Sequence, residues 1–544
     1  MSSFFKNKKR KQKRKNESQA KSNNQSAESS ELIDHSLLVN LDIIKKKTGN
    51  SSDIVIRHIS KGTDGKLQIA IVYLDGLVNN QSIDEFLIQS MMNNSSMQGE
   101  LTPKKALDTM CDNVIALGEV VIVHNWNELF LMLMSGDTII LIGGISQAIS
   151  VGTKGGERRS IGEPTTQMVV RGSREGFTES IATNISLVRR IIKSPELWLE
   201  SMKIGQMTKT DVSIMYMKGI ANDKVVQEVR DRLEKINLDG ILESGYIEQL
   251  IEDQTMTTFP TVYHTERPDV VAGNLLEGRI AIFVDGTPFV LIAPAVFIQF
   301  FQSAEDYYAR FDIATSIRSL RIAIFFISLV APAAYIAITT FHQEMIPTKL
   351  LIAIAAQLEV VPFPAFVEAL IMEVTFEILR EAGIRLPKAI GSAVSIVGAL
   401  VIGQAAVQAG IVSPAMVIVV AMTAIASFAT PSFSIAISAR LVRFLFMISA
   451  ATFGFFGIIL ALLVMTVHLC SLRSFGVPYM APLAPFIPAD AGDTVIRLPW
   501  WSLRKRPRLI AEKNILREGN HQGPRAPKSR GMVNSELEKS DKNE

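Results

Sequence analysis

The spacing of hydrophobic positions along this chain changes near residue 300. Before that point apolar runs are short and punctuated. Lys66–Asp75 (KLQIAIVYLD) is rich in Ile and Val and is closed by Asp75-Gly76, which predicts a buried strand. Leu129–Met134 and Thr138–Ile142 flank Ser135-Gly136-Asp137 and read as a hairpin. A second hairpin is expected where Arg279–Val284 and Thr287–Ile292 flank Asp285-Gly286, a dipeptide suited to the positive φ angles of a type I′ turn. Val212–Met217 alternates as a strand does. Asn222 then caps a segment in which Val225, Val226, Val229, Leu233 and Ile236 recur at helical spacing, and Asp239-Gly240 supplies its stop. Strands interleaved with helices predict an α/β soluble domain over 35–300, long enough to hold two subdomains.

Beyond residue 300 the apolar runs lengthen. Ile322–Thr340 is nineteen residues without a charge, preceded by Arg318 and Arg321. At about 1.5 Å per residue it is long enough for a hydrocarbon core of about 30 Å. Ala389–Ala439 contains fifty-one uncharged residues interrupted by turn formers at Gly410–Pro414, and Phe444–Val467 adds twenty-four. These runs predict an α-helical polytopic membrane domain over 301–475, with spans at about 320–341, 389–410, 414–436 and 444–468. Lys349–Lys388 is different, because Glu359, Glu368, Glu373, Glu377, Arg380, Glu381 and Arg385 stand among its apolar residues. Such charges are costly in lipid and face water, a partner or a pore. Pro362 and Pro364 remove donors and block the preceding turn, so 349–380 is expected to be a broken or re-entrant segment. The resumed helix sets Glu373, Glu377 and Glu381 on one stripe. That stripe is either an interfacial surface or the mouth of a cation path. On the second reading Val361, Pro362, Phe363, Pro364, Glu368, Glu373 and Glu377 form a candidate gate and pore.

Composition adds boundaries. The net charge of +3 is uninformative, because eight of the ten residues Lys6–Lys15 are Lys or Arg. Residues 1–34 read as a disordered basic and polar tail, solvated or attracted to anionic lipid, with no interleaved aromatics to suggest nucleic acid. No apolar stretch follows the basic run, so it is not a secretory signal and the first domain is expected in the cytoplasm. Arg504, Lys505, Arg506 and Arg508 favour the same side, which requires an even number of crossings. A Pro-rich membrane-proximal segment over 476–508 and a disordered tail over 509–544 complete the chain.

Catalytic motifs are scarce. Gly152-Thr-Lys-Gly-Gly-Glu-Arg158 is glycine-rich but lacks the GK[ST] of a phosphate-binding loop. The seven His include no H-E-x-x-H, and Cys111 and Cys470 are too few and too far apart in sequence for a disulfide framework or a Cys metal site. No cofactor, metal site or catalytic constellation is expected, and nothing demands an enzyme.

Several longer motifs occur in a fixed order: Val170-Arg-Gly-Ser-Arg-Glu-Gly-Phe177, Tyr246-Ile-Glu-Gln-Leu-Ile-Glu-Asp253, Thr265-Glu-Arg-Pro-Asp269, Leu275-Leu-Glu-Gly-Arg279, Asp285-Gly-Thr-Pro288, Pro362-Phe-Pro364, Arg385-Leu-Pro387 and Pro499-Trp-Trp501. Together they make residues 35–508 resemble the A subunit of GerA-type spore germinant receptors. The departures are Ser173, where proline is expected, and Gln167, where an acid is usual. The resemblance implies a nutrient sensor in the inner membrane of the dormant spore, with its N-terminal domain on the core side. It implies a transporter-like B subunit and a lipoprotein C subunit as partners, and A subunits that oligomerise into a nutrient-gated cation channel. A non-conducting scaffold or relay is the alternative. It also marks Arg171, Glu175, Glu248, Glu252, Glu266, Arg267, Asp285 and Gly286 as family-motif structural residues.

Overall fold

The computed structural model describes residues 32–61, 67–88, 102–111, 120–155, 162–385, 401–511, 513–517 and 523–524. The basic run at Lys6–Lys15, the end of the glycine-rich stretch at 156–158, Leu386 and Pro387, the first part of the expected 389–410 span and most of the 509–544 tail lie outside the described residues.

The N-terminal half is built twice on one plan. In the first unit α1 (Leu37–Lys47) precedes the hairpin β1 (Ile54–Lys61) and β2 (Leu67–Leu74). Short helical pieces including α2 (Pro103–Thr109) follow, then β3 (Val120–Val123), α3 (Trp126–Leu133), β4 (Thr138–Ile142) and β5 (Ala148–Val151). In the second unit α4 (Ile181–Ile191) precedes β6 (Leu197–Ile204) and β7 (Thr210–Met217). There follow α5 (Asp223–Glu234), α6 (Ser244–Ile251), β8 (Tyr263–Thr265), α7 (Pro268–Leu276), β9 (Ile280–Val284) and β10 (Val290–Ala293). The sheet orders are β1-β2-β4-β5-β3 and β6-β7-β9-β10-β8, the same permutation. Matching punctuation survives in the sequence. Gly76 and Gly219 take positive φ after β2 and β7, and Asn79 and Asn222 each cap the helical segment that follows.

Every described ladder between these strands is antiparallel. The strands are nonetheless almost continuously apolar, because helices cover both faces of each sheet. Val72, Leu74 and Leu141 pack under α1 and α3, while Ile69, Ile71 and Ile140 pack toward α2. In the second sheet Val212, Ile214 and Ile282 meet α5 and α6, and Met215, Phe283 and Ile292 belong to a core that continues into the C-terminal helices. Arg189 of α4 ties the units together. Its side chain is buried and forks onto Asp53 at 2.8 and 3.0 Å. At Gly49 the Trp198 ring approaches so closely that a Cβ would lie 2.1 Å from it.

Two local expectations are corrected here. Leu129–Met134 is not a strand of a hairpin, because Asn125 accepts a hydrogen bond from the Glu128 amide at 2.8 Å and starts α3, whose Trp126, Leu129, Phe130 and Leu133 face the core at helical spacing. The Asp285-Gly286 hairpin forms, but not through a two-residue type I′ turn. The register pairs Ile282 with Leu291, which leaves a longer loop, and only Gly286 takes a positive φ, of +87°.

The C-terminal half is helical: α8 (Phe311–Thr340), α9 (Thr348–Leu358), α10 (Ala365–Arg385), α11 (Pro414–Phe428) and α12 (Phe433–Ser471). Its helices run between an end near the N-terminal domain and a far end. Arg318, near the start of α8, binds Asp306, whereas Phe341 and His342, just past its C-terminus, lie against Gly454. α10 returns from Glu368, beside Ser413, to Arg380, beside Ser427. The helical stretch 401–408 leads to Gly410, next to Val360, and α11 comes back from Ser413 to Ser427.

The segmentation expected for 414–436 and 444–468 is corrected. Pro431 follows the end of α11, and α12 begins at Phe433 and runs through the expected gap at 437–443. α12 then reverses at Gly454, whose φ of 60° and ψ of −139° are not helical. Ser438 donates to the Thr258 carbonyl, while His468 bonds the Thr257 hydroxyl at 2.9 Å. A straight helix would separate Ser438 from His468 by about 45 Å, yet their partners are adjacent residues. The two legs of α12 therefore form a hairpin, so tight that a Cβ on Gly457 would lie 2.0 Å from the Ser449 carbonyl oxygen.

From Leu472 onward the chain straps back over the N-terminal domain. Ser474 links the Ala295 amide (2.9 Å) to the Thr261 carbonyl (2.6 Å), Tyr479 accepts from the Phe297 amide, and Arg506 donates to the Leu276 carbonyl at 2.7 Å. Arg318, fully buried, bridges Asp306 and Asp493 at 3.1 and 2.9 Å and so fastens the strap to the base of α8.

Candidate functional site

The interruption between α9 and α10 falls at 359–364. Pro364 accepts from the amides of Val367 and Glu368 and opens α10, while Val361 closes on the Leu358 carbonyl. Val361 is half-buried, and Pro362, Phe363 and Pro364 are exposed at the far end of the helices.

The three candidate acids of α10 lie on successive levels of a ladder between α10, α11 and α12. Glu368 is fully buried and accepts from the Ser413 amide at 2.8 Å. Glu373 is 1% exposed and meets Arg443 at 2.6 Å, with Thr423 donating to its other oxygen at 3.3 Å. Glu377 joins Arg380 at 3.0 Å and Arg440 at 3.2 Å. Arg380 also donates to Ser427 at 2.8 Å and lies 5.1 Å from the ring centroids of Phe376 and Phe428. A charge in so apolar a setting needs a partner of opposite sign. Glu373 and Glu377 find such partners on α10 and α12, whereas Glu368 has the Ser413 amide alone and its Oε1 is buried without a hydrogen-bond partner among the described residues.

The motif residues of the N-terminal domain fall into three groups. Glu266 and Arg267 hold the loop at 162–176: the Glu266 carboxylate accepts from the amides and hydroxyls of Thr165 and Thr166 at 2.7 to 3.3 Å. Arg267 pairs with Asp269 and donates to the Gln167 and Ser173 carbonyls. Arg171 and Glu175 are exposed on that loop and engage through their backbone amides, with Glu305 and Ser173. Asp285 accepts from the Ile181 amide at 3.1 Å at the start of α4, and Gly286 donates to the Glu179 carbonyl. Glu248 and Glu252 lie at the joint with the helices. Glu248 approaches His264 at 3.7 Å, and His264 reaches Ser434 of α12 at 3.4 Å. Burial and the neighbouring Glu248 carboxylate push Glu252 up to about 7.

Sequence reading did not assign Arg380, Arg440 and Arg443 as partners of these acids, nor the Asp306–Arg318–Asp493 cluster. The signal for the first was present: Arg440 and Arg443 interrupt the uncharged runs at the i, i+3 spacing that matches Glu373 and Glu377 on a facing helix.

A duplicated sheet domain strapped onto helices with apolar exteriors, including exposed Ile418, Ile425, Phe456, Ile459 and Val467, defines a membrane-associated protein. Two of its helices among the described residues, Phe311–Thr340 and Phe433–Ser471, are long and apolar enough to cross a membrane, the second as the hairpin described above. The chain belongs to the Bacillus/Clostridium GerA spore germination protein family, whose sequence model matches residues 42–509. It is 61% identical to "Spore germination protein KA" of Bacillus subtilis (strain 168) over 94% of this chain and 93% of the relative. It is 44% identical to "Uncharacterized membrane protein YfkQ" of the same organism over 91% of this chain and 95% of the relative. A solved structure titled as the N-terminal domain of the A subunit of the Bacillus megaterium spore germinant receptor GerK3 is 54% identical, covers 50% of this chain and 100% of its own, and superposes with a TM-score of 0.41.

Proposed function

We propose that this chain is the A subunit of a nutrient-sensing spore germinant receptor, in which several copies assemble a nutrient-gated cation channel. The observation that carries the reading is the helix interrupted at 359–364, with Val360 and Phe363 exposed, next to an α10 held against α11 and α12 by paired charges. An exposed break in a helix, beside a segment latched by paired charges, has the form of a two-state gate. In this reading α8, α10, the segment ending at Gly410, α11 and the two legs of α12 make six crossings of the spore inner membrane. The N-terminal domain and the strap then share the core side, as an even count requires. Nutrient binding on a transporter-like B subunit, with a lipoprotein C subunit in the complex, biases the latch and releases monovalent cations. The chain itself performs no catalysis.

One observation favours the alternative of a non-conducting scaffold. Glu373 and Glu377 are neutralised within the protomer, so they offer a passing cation no net negative charge. Potassium release separates the readings. Spores carrying Val361→Ala, with B and C subunits verified by immunoblot, are expected to leak potassium without nutrient. Unaltered, nutrient-dependent release at normal subunit levels would move the pore elsewhere and leave this chain as the relay.

A further inference from the structure

At its two levels nearer the N-terminal domain, those of Glu373 and Glu377, the ladder holds more positive charge than its acids neutralise. Glu373 and Glu377 face three guanidinium groups, those of Arg380, Arg440 and Arg443. Adding the next turn brings in both Glu381 and Arg385, which pair with each other at 2.6 Å, so the excess stays at one positive charge. Glu368, five residues before Glu373 on α10, accepts from the Ser413 amide and forms no ion pair with these arginines among the described residues. Residues 386–439 contain no Asp or Glu, and Lys388 is their one charge.

The surplus is also visible atom by atom. Arg443 is 1% exposed, and only one of its terminal nitrogens is bonded; Nε and Nη2 have no partner among the described residues. The Nε atoms of Arg380 and Arg440 are buried and likewise without a hydrogen-bond partner. Arg380 and Arg440 grip the same Glu377 carboxylate from two helices, and Arg443 lies one turn from Arg440, so the open donors belong to one cluster. Buried guanidinium donors left without acceptors are costly, and a planar fork of N–H groups is matched by the oxygens of a phosphate or carboxylate.

We infer that Arg380, Arg440 and Arg443 form a binding site for an oxyanion of the phosphate class, filled by the headgroup of an anionic phospholipid. The lipid source follows from the surroundings. Phe428 and Phe433, whose rings lie against Arg380 and Arg440, are 70% and 55% exposed, and Ile378, next to Glu377 in sequence on α10, is also exposed. The cluster therefore lies just beneath an apolar exterior. It also lies toward the end of the helices that contacts the N-terminal domain through Ser434 and Ser438. A basic cluster between helices near one membrane face is suited to an anionic headgroup. The inference does not depend on whether the chain conducts ions.

The test uses the full chain in nanodiscs of phosphatidylglycerol or phosphatidylcholine, with thermal unfolding and native mass spectrometry as readouts. Arg440→Gln removes the surplus charge yet leaves Glu377 with Arg380 and Glu373 with Arg443. Arg385→Gln removes an exposed charge as a control. The wild type and Arg385→Gln are expected to retain phosphatidylglycerol through desolvation and to unfold several degrees higher in it than in phosphatidylcholine. Arg440→Gln is expected to lose at least tenfold of that retention, together with the difference in unfolding. Stabilisation of the wild type in phosphatidylcholine by millimolar inorganic phosphate would keep the oxyanion site and assign it a soluble source. Equal behaviour of the wild type in both lipids, with no phosphate effect, overturns the inference. So does undiminished phosphatidylglycerol retention by Arg440→Gln. If that variant does not fold, Arg380→Gln, which leaves Glu377 with Arg440, takes its place with the same expected and overturning results.

Discussion

Replacing Glu373 by Leu tests whether the ladder holds α10 in place. Glu373 and Arg443 are each 1% exposed and meet at 2.6 Å, and the variant leaves Arg443 as a buried charge with no carboxylate at its level. Removing one partner of a buried pair costs about 3–5 kcal/mol, whereas replacing both by apolar groups of similar volume is close to neutral. At about 2–4 °C per kcal/mol for a domain of this size, the single variant should unfold roughly 10 °C below the wild type. Glu373→Leu combined with Arg443→Met should recover most of that loss. The assay is thermal unfolding of the full chain in one detergent, followed by fluorescence-detected size exclusion, with Arg443→Met alone completing the double-mutant cycle. A single variant as stable as the wild type would refute the idea that this pair latches α10. A double variant no better than the worse single would show that the loss comes from packing and not from the stranded charge.

Two further outcomes are expected. The folded-state pKa of Glu252, about 7, lies above the ordinary value of 4.5, so its contribution to stability is fully present below pH 4.5 and is lost as pH rises through about 7. The full shift corresponds to about 3 kcal/mol, and solvent screening of this half-buried group reduces it to about 1 kcal/mol. The wild type should therefore unfold at a lower temperature at pH 8 than at pH 5, and Glu252→Gln should reduce that difference; an unchanged pH dependence in the variant would exclude Glu252 as its source. The reversal at Gly454 returns Cys470 to the end that carries the N-terminal domain. In a Cys111→Ser background, an impermeant maleimide should label Cys470 only from that membrane face, and labelling only from the opposite face would rule out the hairpin.

Elements with a strong local signal were legible in the sequence. Asn222 capping α5, the alternation of Val212–Met217 and the long uncharged runs each depend on neighbours a few residues away, and periodicity reports such neighbours. Leu129–Met134 misled because a short apolar run has no period of its own, and Asn125, four residues earlier, decides for helix. The reversal at Gly454 was hidden because a glycine inside an apolar run does not announce its φ, and the clash at Gly457 depends on Ser449 across the turn. Acids that looked unpaired along the chain find their arginines about sixty to seventy residues later, a distance at which only packing decides which charges meet.

The two N-terminal units share element order, strand permutation and the placing of their turn glycines, as expected if one ancestral module was copied in tandem. Among the described residues only the second copy shares its core with the helices, and only it is gripped by the strap. The first copy has a sheet covered on both faces by its own helices, and Arg189 is its main buried ionic tie to the second among the described residues. Division of labour follows from this inequality. The inner copy is constrained by the helices it must move with, whereas the outer copy is free to change its surface without disturbing them, so that closely related chains are expected to have diverged there first.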